Sequence, residues 1–197
     1  MRLDLSAILP WFSDNSKVLD LGCGDGQLLA ALKRDKNIQG YGLEIDSDNI
    51  ATCIAKGVNV IEQNLDDGLD NFADNSFDTV VMTQALQVLR NPDKTLNEML
   101  RIGNECIVTF PNFGYWYNRL YLSLRGRMPV SETIPYNWYN TPNIHFCTLR
   151  DFENLCQQLS IRIEKRDVLT EGSIDTFGKK LSSNLFGEIA VYHLKKR

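Results

Sequence analysis

Asp20, Gly22, Gly24 and Gly26 lie in the run Lys17-Val18-Leu19-Asp20-Leu21-Gly22-Cys23-Gly24-Asp25-Gly26, whose residue types and spacing suit a nucleoside-bearing ligand. An apolar β-type stretch (Val18, Leu19, Leu21) leads into three glycines at alternate positions, and a helical pattern follows at Leu28, Leu29, Ala31 and Leu32. Strand, glycine turn and helix let backbone N–H groups come close to a ligand, and Cys23 lies in the same turn. A dinucleotide site of the G-x-G-x-x-G kind wants a third small residue at position 27, where this chain has Gln27. Asp20 is more telling, because a carboxylate in that crevice repels a pyrophosphate and attracts a cation. S-adenosylmethionine (SAM) has an ammonium, a sulfonium and no phosphate. The run therefore reads as a site for SAM or its demethylated product S-adenosylhomocysteine (SAH), and not for NAD.

Glu44 completes the signature. It ends the stretch Gly40-Tyr41-Gly42-Leu43-Glu44 and is 20 residues beyond Gly24. In a βαβ unit that spacing puts a carboxylate at the tip of the neighbouring strand, where it can accept both ribose hydroxyls. Gln63-Asn64-Leu65-Asp66 follows the third strand, where adenine is expected. There Asn64 or Asp66 could bond the adenine amino group, with Ile45 and Leu65 on the faces of the base. Thr83, just past the fourth strand, is placed by geometry to line the pocket.

These residues need an alternating frame to bring them together. The pattern predicts strands at 17–22, 39–44, 58–62, 77–82 and 106–110, with helices at 25–35, 46–56, 92–101 and 149–159. Asp46 or Ser47 is a candidate N-cap, Gly57 a stop, Pro92 a helix opener, and Thr148 to Asp151 resembles a capping box. Two closing strands, 161–169 and 188–194, follow without a helix between them, as an antiparallel edge hairpin. The expected fold is α/β and Rossmann-like: a seven-stranded, mostly parallel sheet with helices on both faces and the first strand beside the second and fourth.

At 197 residues and 43% apolar, the chain can bury one core, so one domain over 1–197 is expected. A net charge of −4 argues against general attraction to nucleic acid or membrane. No apolar run approaches the ~18 residues of a membrane span. Five cysteines, at 23, 53, 106, 147 and 156, are scattered, as in a reduced cytoplasmic protein with neither a disulfide frame nor a metal site.

Residues 111–147 break the rhythm. Nine of the chain's 19 aromatics lie there, with Arg119, Arg125, Arg127 and Glu132 giving +2. Aromatic and Arg enrichment is the composition of interface hot spots, and Trp116, Arg125, Arg127 and Trp138 lead the candidates for a partner surface. A substrate lid or a self-packing cover for one end of the sheet would use similar residues.

The glycine run, Gly-Tyr-Gly-Leu-Glu-Ile-Asp at 40–46 and Asn-Ser-Phe-Asp-Thr-Val-Val at 75–81 together resemble a class I SAM-dependent methyltransferase. Three further runs, 57–63, 110–114 and 124–130 followed by 135–145, are similar to the MetW family of methionine biosynthesis, a resemblance reaching about residue 172. It implies a protein working with a homoserine O-acyltransferase of the MetX type, with no established methyl acceptor. Asn64 stands where many related sequences carry Asp, and Gln87 where many small-molecule methyltransferases have His.

Three functions follow. The first is a SAM-binding regulatory partner of the acyltransferase. The second is a methyltransferase for a small molecule, with the insert as its lid and no assigned catalytic residue. The third is a structural partner with a relic glycine motif, which intact Asp20 and Glu44 count against. His145, in the insert, either faces the pocket or bonds nearby backbone.

Overall fold

A computed structural model of the chain describes residues 1–170 and 182–197. In chain order its elements are α1 (Leu3–Ile8), β1 (Lys17–Leu21), α2 (Gln27–Lys36), β2 (Gln39–Glu44), α3 (Ser47–Ala55), β3 (Asn59–Glu62) and β4 (Phe77–Thr83). There follow α4 (Pro92–Ile102), β5 (Gly103–Pro111), α5 (Trp116–Arg125), α6 (Leu149–Gln158), β6 (Ile161–Leu169), α7 (Ser183–Phe186) and β7 (Ile189–Lys196). Asp46 caps α3, its carboxylate accepting from the amides of Asp48 and Asn49. Thr148 and Asp151 form the capping box of α6.

The sheet has seven strands in the order β3-β2-β1-β4-β5-β7-β6. The first five pair in parallel, and β7 runs antiparallel to both β5 and β6. The edge hairpin is as expected, with one correction. The short helix α7 precedes β7, because the amides of Leu185 and Phe186 close a turn on the Ser182 carbonyl. Two of the expected starts move and one helix is added. β5 starts at Gly103, α2 starts at Gln27 because Gly26 holds a left-handed N-cap, and α5 forms inside the aromatic insert.

Strand alternation sorts the core into two layers. Leu19, Leu21, Val80, Met82, Val108 and Phe110 pack with α4 and α6 on one face. Val18, Val81 and Ile107 pack with α1, α2 and α3 on the other. By the same alternation, Asp20, Thr83 and Thr109 point toward the α1 side, where the glycine turn lies. The sheet thus places one acid and two threonines beneath the N-terminal helix.

Candidate ligand site

Gly22 and Gly26 allow the turn after β1 to fold back over the strand ends. Both have positive φ (71° and 72°), and a Cβ at Gly26 would stand 2.8 Å from Cys53 Sγ. The turn passes so close to β2 that any side chain at Gly42 would collide with Cys23 Sγ. Cys23 is buried, 3.8 Å from Cys53 Sγ, and its thiol pKa is pushed up mainly by that burial, with Asp20 and Cys53 adding. The thiol is thus an inert packing group.

Glu44 sits at the tip of β2, where sequence spacing puts it. Its Oε2 accepts from the Gly24 amide at 2.7 Å, and its Oε1 accepts from Ile45 and Asp46 at 2.8 and 3.0 Å. Three backbone donors fix the carboxylate and leave one of its roughly four acceptor sites open, on Oε2. Ile45 is exposed beside it, and Leu65 packs near Gly22. The side-chain oxygen of Asn64 accepts from the Asp66 amide at 3.1 Å. Asp66 in turn accepts from the Arg90 amide at 2.9 Å, so its carboxylate serves the loop.

Asp20 is 1% exposed; among the described residues its carboxylate finds no hydrogen-bond partner, and its Oδ1 is enclosed. Burial lifts its pKa to about 7; Arg2 opposes that rise, while Glu44 and Asp4 add to it. Asp20 lines a cavity of about 290 Å³ together with Gly22, Cys23, Gly24 and Thr83.

Arg2 and Leu5 line the same cavity, and sequence reading missed both. The Arg2 guanidinium donates from Nε and Nη2 to the two Asp4 oxygens at 3.1 and 3.0 Å. Asp4 is fully buried and also accepts from Thr109 Oγ1 at 2.9 Å. One signal was available in the sequence: Asp4 is an acid sharing a helical face with apolar Ile8, four residues on.

Gln87 and His145 lie apart from this crevice. They line an apolar cavity of about 240 Å³ with Phe110, Phe146 and Phe152, and the His145 amide donates to the Gln87 carbonyl at 3.1 Å. Only the short segment from Thr83 to Gln87 separates the two cavities in sequence.

In the insert, Arg127 and Trp138 line one groove of about 520 Å³, and Trp138 is 77% exposed. The Arg125 guanidinium stands 5.1 Å from the ring centre of Tyr121, which lines that groove too. Trp116 is half-buried on the first turn of α5, edge-on to Tyr115 and Tyr117. The structure brings three of the four candidates together and sets Trp116 aside.

The strand order, the glycine turn after β1 and the acid at the end of β2 define a class I SAM-methyltransferase fold, Rossmann-like and closed by an antiparallel edge. Solved structures agree. A SAM-dependent methyltransferase from Mesorhizobium loti superposes with a TM-score of 0.68 at 15% identity, covering 98% of this chain and 95% of that one. One from Archaeoglobus fulgidus gives 0.67 at 18%, covering 98% and 91%. The cyclase SpnF also gives 0.67 at 18%, covering 98% and 80%, so this fold does not by itself specify methyl transfer.

Within that class, residues 2–194 match the family described as methionine biosynthesis protein MetW, and the chain belongs to it. The match runs beyond residue 172, where the recognisable sequence motifs end. A curated relative, the bifunctional methionine biosynthesis protein MetXA/MetW of Rhodopirellula baltica, is 37% identical over 174 residues. That alignment takes in 84% of this chain and only 28% of the relative's length.

Proposed function

We propose that this chain binds SAM in the Asp20–Glu44 crevice and acts as a partner and regulator of a homoserine O-acyltransferase in the cytoplasm. One observation carries the partnership: the R. baltica relative joins a MetW part to a MetXA part in one polypeptide. Tethering raises effective concentration, which benefits parts that meet. The family resemblance supplies the acyltransferase identity of the MetX type. The exposed Trp138, Tyr139 and Leu124 of the insert support it with apolar surface suited to a protein contact.

SAM binding is supported by the Asp20 carboxylate, which has no hydrogen-bond partner among the described residues, by Glu44 at the tip of β2, and by the SAM-dependent methyltransferases that share the fold. A ligand that favours one conformation of a complex shifts its equilibrium, so SAM is suited to signal to the acyltransferase. Residues 111–147 form the partner-facing insert of one SAM-methyltransferase-like domain.

A second reading, methyl transfer to a small molecule, draws on the apolar cavity at Gln87 and His145. Size-exclusion chromatography of the chain mixed with the acyltransferase tests the first. Co-elution supports it. Separate elution together with transfer of labelled methyl from SAM to a small molecule favours the second.

A further inference from the structure

We propose that the apolar cavity beside Gln87 binds a small, uncharged ligand with an apolar body and one O–H or N–H donor, whose hydrogen bond Gln87 Oε1 accepts. The cavity lies apart from the Asp20–Glu44 crevice, and its occupancy requires neither SAM nor the acyltransferase.

The first observation is Gln87. It is 6% exposed, it lines the cavity, and its Oε1 is enclosed without a hydrogen-bond partner among the described residues. Its Nε2 donates to the Gln84 carbonyl at 3.1 Å. Only the amide nitrogen can meet that acceptor, so the oxygen is the half left unpaired. The residue is also held by its backbone, since the Gln87 carbonyl accepts from the amides of Ile144 and His145 at 2.9 and 3.1 Å. A buried acceptor in this state has lost water without compensation, and a donor arriving on a ligand supplies the bond.

The second observation is the wall. The buried rings of Phe110 and Phe152 lie 4.9 Å apart, and both pack on the buried Tyr192 ring, at 5.9 and 4.6 Å. Leu86, Leu155 and Pro92 add aliphatic surface, and the exposed Phe146 packs against Phe113 at 4.6 Å. Walls braced on the core are in place before a ligand arrives, which lowers the ordering cost of binding. At about 240 Å³ the cavity is smaller than the ~300–1,000 Å³ of sites for drug-sized ligands, so its occupant is small. No Lys or Arg is among the described lining residues. His145 and Asp151 are exposed, so their polar groups stay in contact with water. An ionised ligand would lose its water against three phenylalanines. A pure hydrocarbon would leave Oε1 unpaired. A neutral ligand with one donor suits both.

Amide NMR titration of the full chain with phenol and with toluene, which has a methyl in place of the hydroxyl, tests the assignment. Both probes should shift the amides of Phe146, Cys147 and Phe152. Gln87→Met keeps the length of the side chain and removes its amide. It should move the ratio of phenol to toluene affinity toward toluene by about 10-fold, the equivalent of one buried hydrogen bond. Leu155→Phe narrows the cavity and should weaken both probes while leaving their ratio unchanged. An unchanged ratio in Gln87→Met would overturn the role of Oε1. Amide shifts confined to other parts of the chain, or none with either probe, would overturn the site. Benzylamine binding more tightly than phenol would overturn the uncharged class and make Asp151 the anchor.

Discussion

The Gly24 amide donates a 2.7 Å hydrogen bond to Oε2 of Glu44, tying the glycine turn after β1 to the tip of β2. The 20-residue spacing between them is therefore a contact as well as a pattern. Glu44 holds the glycine turn, and in the proposed site the same carboxylate would take the ribose. Glu44→Ala should weaken SAM binding by roughly 10- to 100-fold, from ~1.5–3 kcal/mol of lost charge-assisted bonding. Glu44→Gln keeps an acceptor for Gly24 and should cost less. Titration calorimetry on both variants checks this, and unchanged affinity in Glu44→Ala would move the ribose elsewhere.

Ionised Asp20 is a stability cost in the ligand-free protein. With its carboxyl pKa raised to about 7 by burial, the folded chain holds a proton that the unfolded chain has already released between about pH 4 and pH 7. Stability contributed at this position is thus greatest at low pH and is lost as pH rises toward 7. Asp20→Asn removes the buried charge and should raise the ligand-free melting temperature at pH 8 by roughly 2–8 °C while abolishing SAM binding. A lower melting temperature would show that Asp20 has a structural partner.

The same group sets a pH dependence of binding. A cationic ligand needs the ionised Asp20 carboxylate, so its affinity should weaken as pH falls from 7.5 to 5.5, by up to about tenfold per unit below 7. Calorimetry in buffers of different ionisation enthalpy should show proton release on binding near pH 6.5. A flat profile across this range would remove Asp20 from the ligand's ammonium.

Trp138→Ala and Arg127→Ala truncate two walls of one groove in the insert. Each should cost about 2 kcal/mol or more of association with the acyltransferase and leave SAM binding nearly intact. Trp116→Ala should instead lower stability, since its ring is half-buried among Tyr115 and Tyr117. Pull-down and calorimetry on the three variants separate the effects. Lost SAM binding with unaltered association would make the insert a lid.

The parts of the site legible in sequence are those fixed by local spacing. Asp20, Gly22, Gly24, Gly26 and Glu44 all belong to one βαβ unit, whose geometry ties spacing to position. The missed parts depend on distant contacts. Asp4 and Thr109 meet across 105 positions of chain, so nothing near Arg2 announces that it overhangs the glycine turn. Helix α5 was hidden for another reason: Leu120, Leu122 and Leu124 are all exposed, and only Asn118 is buried, so no apolar stripe marks an inward face. The place of His145 was not legible because a long-range backbone bond sets it: its amide donates to the Gln87 carbonyl, beside an apolar cavity apart from the glycine turn.

Calorimetry of SAM binding to the free chain and to the chain with the homoserine O-acyltransferase present tests ligand and partnership together. Linkage requires that a ligand which regulates an association bind the free and complexed forms with different affinity, by the same factor in each direction. SAM should bind the free chain measurably, and its affinity should change several-fold, in either direction, when the acyltransferase is added. Identical SAM affinity with and without an acyltransferase that demonstrably associates would contradict control of that association by the ligand.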